Sequence, residues 1–233
     1  MHNKIIFTNI LNVSEEYAPI PSSRIIPEWY KKTTSYINDE KKPDGVGNTT
    51  ATVKRCMPVF DALTSGYIIT TYVDIYLSKT KDGNLKIEAP SLNPLGFHPV
   101  EQAEFIPGKT EKTKQFPKWM NPWGIKTPNG YSCLFVAPLH HPNEFFKVLP
   151  GVVDTDQYTA PVNFPFMFND QDFEGLIPAG TPMVQVIPFK REQWEMSIGG
   201  QEEINKINSI TQNLRSVFFD AYKNKFRSNK EYK

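Results

Sequence analysis

A mainly β body with an extended N-terminal arm and a C-terminal amphipathic helix is predicted by three features of the sequence. The 233 residues include 20 Pro, 16 Phe, 10 Tyr and 4 Trp, a composition suited to short strands joined by tight turns. Between residues 66 and 189 several runs are β-prone or alternate apolar and polar residues with a period of two. After Gly199-Gly200 the apolar period lengthens to three and four residues. These features divide the chain into an arm and short helix over 1–50, a body over 51–195 and a helix over 201–227.

The arm holds Ile5-Ile6-Phe7 and Ile25-Ile26-Pro27-Glu28-Trp29-Tyr30, broken by Pro19, Pro21, Pro27 and Pro43, and ends in a polar loop over 38–50. Pro27 suits the first turn of a short helix, where its missing N–H costs nothing, and Glu28 suits the positive end of the dipole. Trp29 and Tyr30 are expected to pack this piece on the body. In the body, residues 66–77 read as one strand, and Lys81-Asp82-Gly83-Asn84 turns the chain into Leu85-Lys-Ile-Glu88 as a hairpin. Residues 89–123 are Pro-rich and loop-like, with Trp119 and Trp123 expected to cap one end of the core.

Strand and turn follow over 125–130, then strands over 131–137 and 147–153. Val162, Phe164, Phe166 and Phe168 alternate as one half-buried strand, and 176–189 closes the set. Two hairpins stand out: Leu149-Pro-Gly-Val-Val-Asp-Thr-Asp-Gln-Tyr158, with a carboxylate pair at its tip, and Pro178-Ala-Gly-Thr-Pro-Met-Val-Gln-Val-Ile-Pro188, with one inward Gln. In the last segment Ile204, Ile207, Ile210, Leu214, Val217 and Ala221 form a stripe, with Glu202 and Glu203 in the first turn. Such a stripe can dock on the chain's own sheet, pair around a symmetry axis or bind a target.

Charge and motif spacing narrow the function classes. Lys plus Arg number 26 and Asp plus Glu 25, a formal net charge of +1, so no global field recruits nucleic acid or a membrane surface. No segment has the roughly twenty apolar residues of a membrane span or the core of a signal peptide, so a soluble intracellular protein is expected. Cys56 and Cys133 lack zinc or redox spacing and read as small buried hydrophobes. His140-His141, with His98 and Glu101, invites a metal reading, but neighbouring His point to opposite faces and an exposed loop is the simpler account. No phosphate-binding glycine loop or nucleophile elbow occurs.

Gly130-Tyr131 leading to Ala137-Pro138, then Gly151-Val-Val-Asp154, then Gly180 with Gln185 five positions on, resembles the β-clip fold of the trimeric dUTPase and dCTP deaminase superfamily over about sixty residues. The resemblance implies a β-clip barrel or sandwich in which Asp154, with Asp156 beside it, activates water, Tyr158 stacks on the sugar and Gln185 faces the phosphates, with Mg²⁺ present if the site hydrolyses nucleotides. Leu139-His140-His141 stands where that family has Arg-Ser, and Thr159-Ala160 where it has Arg-Gly, while a helix replaces the glycine-rich closing arm. Loss of the phosphate-gripping Arg implies a degenerate active site, with His140 and His141 as the remaining groups on the phosphate side and no cofactor required.

Ile26-Pro-Glu-Trp-Tyr-Lys31, Lys54-Arg-Cys-Met-Pro58, Asn121-Pro-Trp123 and Gly180-Thr-Pro-Met-Val-Gln-Val-Ile-Pro-Phe-Lys-Arg191 are similar to phrases of an uncharacterised family of tailed phages, including marine myoviruses. That likeness implies a place in the infected host's cytoplasm or in the virion. Three functions follow as expectations: a nucleotide-like ligand module without turnover, an oligomeric assembly or virion component with a trimer favoured, and a divergent nucleotide hydrolase.

Overall fold

The computed structural model describes residues 3–43, 49–90, 93–106, 109–111, 113, 115–216 and 219–233. Part of the expected polar loop, residues 44–48, and Val217 of the helical stripe lie outside these. In chain order come β1 (Ile6–Asn9), β2 (Ile20–Pro21), α1 (Glu28–Lys32), α2 (Met57–Thr64), β3 (Tyr67–Thr70), β4 (Ile75–Lys79), β5 (Leu85–Glu88) and β6 (Leu95–His98). There follow β7 (Phe116–Trp119), β8 (Trp123–Lys126), β9 (Tyr131–Val136), β10 (Phe146–Val148), β11 (Gly151–Val153) and β12 (Phe164–Phe168). The last are β13 (Gly175–Ile177), β14 (Pro182–Lys190), α3 (Gln201–Ser216) and α4 (Ala221–Lys225).

The fold is mainly β, with all strand pairs antiparallel. A central sheet runs β11-β9-β14-β3-β2, flanked by β10-β12-β7-β6, β13-β4-β5 and the pair β1-β8. Several expected single strands are each divided between two sheets. Residues 66–77 give β3 in the central sheet and β4 outside it, and 176–189 divides likewise into β13 and β14. The two corners lie side by side: Thr71 N–H donates to Thr181 O (2.9 Å), Gly180 N–H to Thr71 O (2.8 Å) and Thr71 Oγ1 to Pro178 O (2.8 Å). This mutual bonding satisfies backbone that would otherwise be orphaned where both strands change sheet.

Pro150 divides 147–153 in the same way. β10 pairs with β12, while β11 pairs with β9, so the expected 149–158 hairpin is instead a crossing between sheets followed by a tight turn. The turn from β4 into β5 forms as expected, with Tyr76 opposite Glu88 and Gly83 at φ 78°.

The main apolar core lies between the sheets, and Ala103, Phe116 and Met167 form a second, smaller cluster. Trp119 stacks on Phe166 at 4.7 Å and meets Phe146 edge-on at 4.9 Å. Trp119 and Trp123 are therefore within the core and not caps on its end, and residues 89–123 carry β6 and β7 where a loop was expected. Pro94 and Pro99 bracket β6, which pairs only with β7, and this edge position tolerates the local Pro density.

Helix α2 has no counterpart in the sequence expectations. Pro58 sits in its first turn, and Gly66 just beyond it brings the chain hard against β14: φ is +68°, and an added Cβ would lie 2.0 Å from Val186 O. Cys56, at the N-cap of α2, is exposed, which corrects the expectation of a buried residue, whereas Cys133 on β9 is buried and burial pushes its thiol up to about 11. The range 201–227 is not one helix, because Asp220 takes φ 61° between α3 and α4. No helix among the described residues is long and apolar enough to cross a membrane.

Candidate functional site

The β14–β9 register decides which of the sequence-selected residues can meet. Gln185 lies opposite Val136 and Lys190 opposite Tyr131, while Val153 of β11 lies opposite Cys133. The carboxylate turn is therefore at the Tyr131 end of β9 and Gln185 at the other, about 13 Å away at strand rise. Asp154 and Gln185 therefore stand toward opposite ends of β9.

At the Tyr131 end, Asp156 is bound on three sides. Arg191 reaches it with Nη1 on Oδ1 (2.8 Å) and Nη2 on Oδ2 (2.5 Å), and Gly130 N–H donates to Oδ2 (2.8 Å). The Asp156 side chain is 1% exposed, and the Arg191 guanidinium holds its carboxyl well below the usual carboxylate range. Asp154 is more open, yet it accepts from Ser132 Oγ (2.6 Å) and pairs with Arg191 (3.2 Å). Between the two carboxylates Thr155 is buried, bonded to Thr127 Oγ1 (2.8 Å) and Cys133 Sγ (3.3 Å). Tyr158 closes the turn with its N–H on Asp154 O (2.8 Å), and its ring is half exposed. Chemically this is a clamp on Arg191: the guanidinium occupies Asp156, while Asp154, also paired with it, keeps a side chain that is 59% exposed.

Gln185 is wholly buried and fully engaged. Its Nε2 donates to Ala62 O (3.0 Å) and Ser65 O (2.6 Å), and its Oε1 accepts Leu139 N–H (2.8 Å). It ties the C-terminal end of α2 to the turn after β9, an inward amide satisfying backbone groups. In that turn His140 adopts φ 59° and its carbonyl accepts Trp29 Nε1 (2.7 Å), so Trp29 does anchor α1 on the body. His141 is driven downward in pKa by burial and by His140, and its buried Nε2 has no partner among the described residues. His98 lies on β6 and bonds Gln102 (3.0 Å), and among the described residues no group of three His, Cys, Asp or Glu gathers around a possible metal.

The feature that the candidate residues missed begins where Arg191 ends. Residues 192–200 are irregular and exposed, and Trp194, Met196 and Ile198 are 87%, 84% and 91% exposed. On α3, Ile204, Ile207 and Ile210 are 43–60% exposed, so this part of the stripe is not buried on the chain's own body, whereas Ala221 at its end is buried. The chain then returns to the body. Phe219 meets the Tyr36 ring (6.0 Å), Asp220 pairs with Arg55, Arg227 binds Asp61 (2.7 Å) and Tyr232 meets Tyr67 (6.0 Å). An arm of about 25 residues that carries exposed apolar side chains is thus fixed at both ends. Its sequence signal was present in the period of the isoleucines, and Trp194, Met196 and Ile198 alternate with Glu195 and Ser197 at a period of two, although the segment forms no strand.

Comparison of the chain with protein-family models, curated proteins and solved structures finds no match.

Proposed function

We propose that the protein is an oligomeric assembly module, a β body that presents residues 192–216 to further copies of itself. The observation that carries this reading is the run of six large apolar side chains, Trp194 to Ile210, left exposed between two firmly anchored ends. An exposed apolar run of that kind loses stability in water and gains it by association. Ile204 and Ile207 stand at the a and d spacing of a heptad, and isoleucine at both positions favours three-stranded bundles, so we favour a trimer. The Arg191 clamp fixes the direction in which the arm leaves the body, which gives Asp154 and Asp156 a structural duty in this reading.

For the scaffold we keep the β-clip relation, supported by the convergence of its three sequence segments on the adjacent strands β11, β9 and β14. The phage setting, in virion or host cytoplasm, belongs to the same reading. A hydrolase using Asp154 or Asp156 with Mg²⁺ has less support, because Arg191 engages both carboxylates.

Sedimentation velocity on the full chain tests the proposal. The native protein is expected to sediment as a trimer and Ile207→Asp as a monomer with an unchanged far-UV spectrum. A native chain that stays monomeric across the micromolar range, or an Ile207→Asp variant of unchanged mass, overturns it.

A further inference from the structure

The returning C-terminal segment does not lie flat on the body. It walls a groove of about 620 Å³ against α1 and α2. Five cations line this groove, Lys54, Arg55, Lys223, Arg227 and Lys230, with one lining carboxylate, Glu231, and with Asp220 paired to Arg55 and Asp61 to Arg227 and Lys230 just outside it. A near-neutral protein has no reason of overall charge to gather five cations there.

Two of the cations are held in place from beneath. Asp61 of α2 is buried and binds Arg227 through Nε (3.0 Å) and Nη2 (2.7 Å) and Lys230 through Nζ (2.8 Å). One carboxylate thereby orients two cations, leaving the pair with a net positive charge. Arg227 Nη1 makes no hydrogen bond among the described residues, so the guanidinium keeps donors for a further acceptor. Lys223 has no carboxylate partner among the described residues. Lys54 bonds the carbonyl of Lys31 (2.9 Å) and lies 5.9 Å above the Tyr30 ring.

The groove is also aromatic. Tyr30 and Phe60 pack with centroids 6.4 Å apart, Arg227 lies over the Phe60 ring at 5.8 Å, and Tyr232 stands at the far wall. Oriented guanidinium and ammonium groups match the oxygens of a dianion, and the half-buried Phe60 and Tyr232, beside the buried Tyr30, give the groove apolar surface for a planar group. We infer that this groove binds a phosphate monoester carrying an aromatic ring, with Arg227, Lys230 and Lys223 on the phosphate and Tyr30, Phe60 and Tyr232 beside the ring.

The site is composite. Lys54, Tyr30 and Phe60 come from the segment before β3, while Lys223, Arg227, Lys230 and Tyr232 come after α3. A bound dianion would fasten the return leg of the arm to the body without being part of the arm's own contacts, and the inference does not depend on the assembly reading.

Isothermal titration of the full chain at low salt with phenyl phosphate, inorganic phosphate and phenol tests it. Phenyl phosphate is expected to bind saturably, more tightly than inorganic phosphate, and phenol not at all. Lys223→Gln, which breaks no ion pair of the fold, is expected to weaken phenyl phosphate about tenfold, and added salt should weaken it further. Running the same titration on the Ile207→Asp monomer should give unchanged binding, since one protomer holds the whole groove. The inference is overturned by the absence of saturable binding in the millimolar range, by equal affinity for phosphate and phenyl phosphate, or by unchanged affinity in Lys223→Gln combined with Lys54→Gln.

Discussion

Replacing Gln185 by Leu tests the interior with the fewest assumptions, since its amide ties α2 and β14 to the turn after β9. The substitution nearly conserves volume, so the loss is one of hydrogen bonding. Ser65 O keeps a donor, because Ser22 Oγ also reaches it at 2.9 Å. Leu139 N–H loses its acceptor and Ala62 O its side-chain donor. Each buried group left unsatisfied costs about 1–3 kcal/mol, offset in part by about 1 kcal/mol from the more apolar side chain. A net loss of about 1–5 kcal/mol follows, read as a lower urea midpoint at unchanged slope.

Gln185→Glu adds a sign to the same test. Its carboxylate would face two carbonyl oxygens in a buried site, so its folded pKa must rise above the unfolded value near 4.3. The penalty relative to the native chain is then small below about pH 4 and grows as the pH rises toward the raised folded value. A Leu variant within about 0.5 kcal/mol of native, or a Glu variant with the same deficit at acid and neutral pH, would refute the satisfied-amide account.

Other outcomes follow from the clamp and the core. Asp156→Asn should lower the melting temperature at neutral pH. The folded pKa of Asp156 lies below its unfolded value near 3.9, so its stabilisation is present above that value and lost as the pH falls. The gap between native and variant melting curves should therefore narrow below about pH 4, and a gap independent of pH would count against the ion pair. Trp119→Ala should cost about 3–5 kcal/mol in urea titration, as for other buried aromatics. Gly66→Ala should also destabilise strongly, because both its positive φ and the Val186 carbonyl exclude a Cβ; a neutral result would contradict the described approach of α2 to β14.

Residue patterns showed the β character and the turn at 81–84 because both depend on local periods and turn chemistry. Sheet membership was less visible. A run such as 66–77 is β-prone throughout, and only the partner corner at 178–181 decides that Thr71 is where it changes sheet. For the same reason Trp119 looked like a cap in a Pro-rich loop, although its pairing with β6 and β12 places it in the core. The three β-clip-like segments proved to be neighbours in one sheet, yet their polar residues serve different ends of it. Asp154 and Asp156 could be found as a turn pair, but Arg191 could not be matched to them without the β14–β9 register. Gln185 was legible as an inward amide; its partners on α2 were not, since that helix was unforeseen.

The central sheet's edges have a bearing on how copies of this protein can meet. One border is β2, two residues long and ending in Pro21, and the other is β11, three residues long. Neither offers a row of free backbone groups long enough to template a neighbour's strand. Backbone-to-backbone growth of the kind that leads to open-ended fibres is thus blocked at both borders of this sheet, while the arm's apolar side chains remain available. If copies associate through the arm as proposed, an arm of fixed length, rooted at Arg191 and Asp220, saturates once its partners are in place and gives a counted number of subunits rather than an indefinite stack.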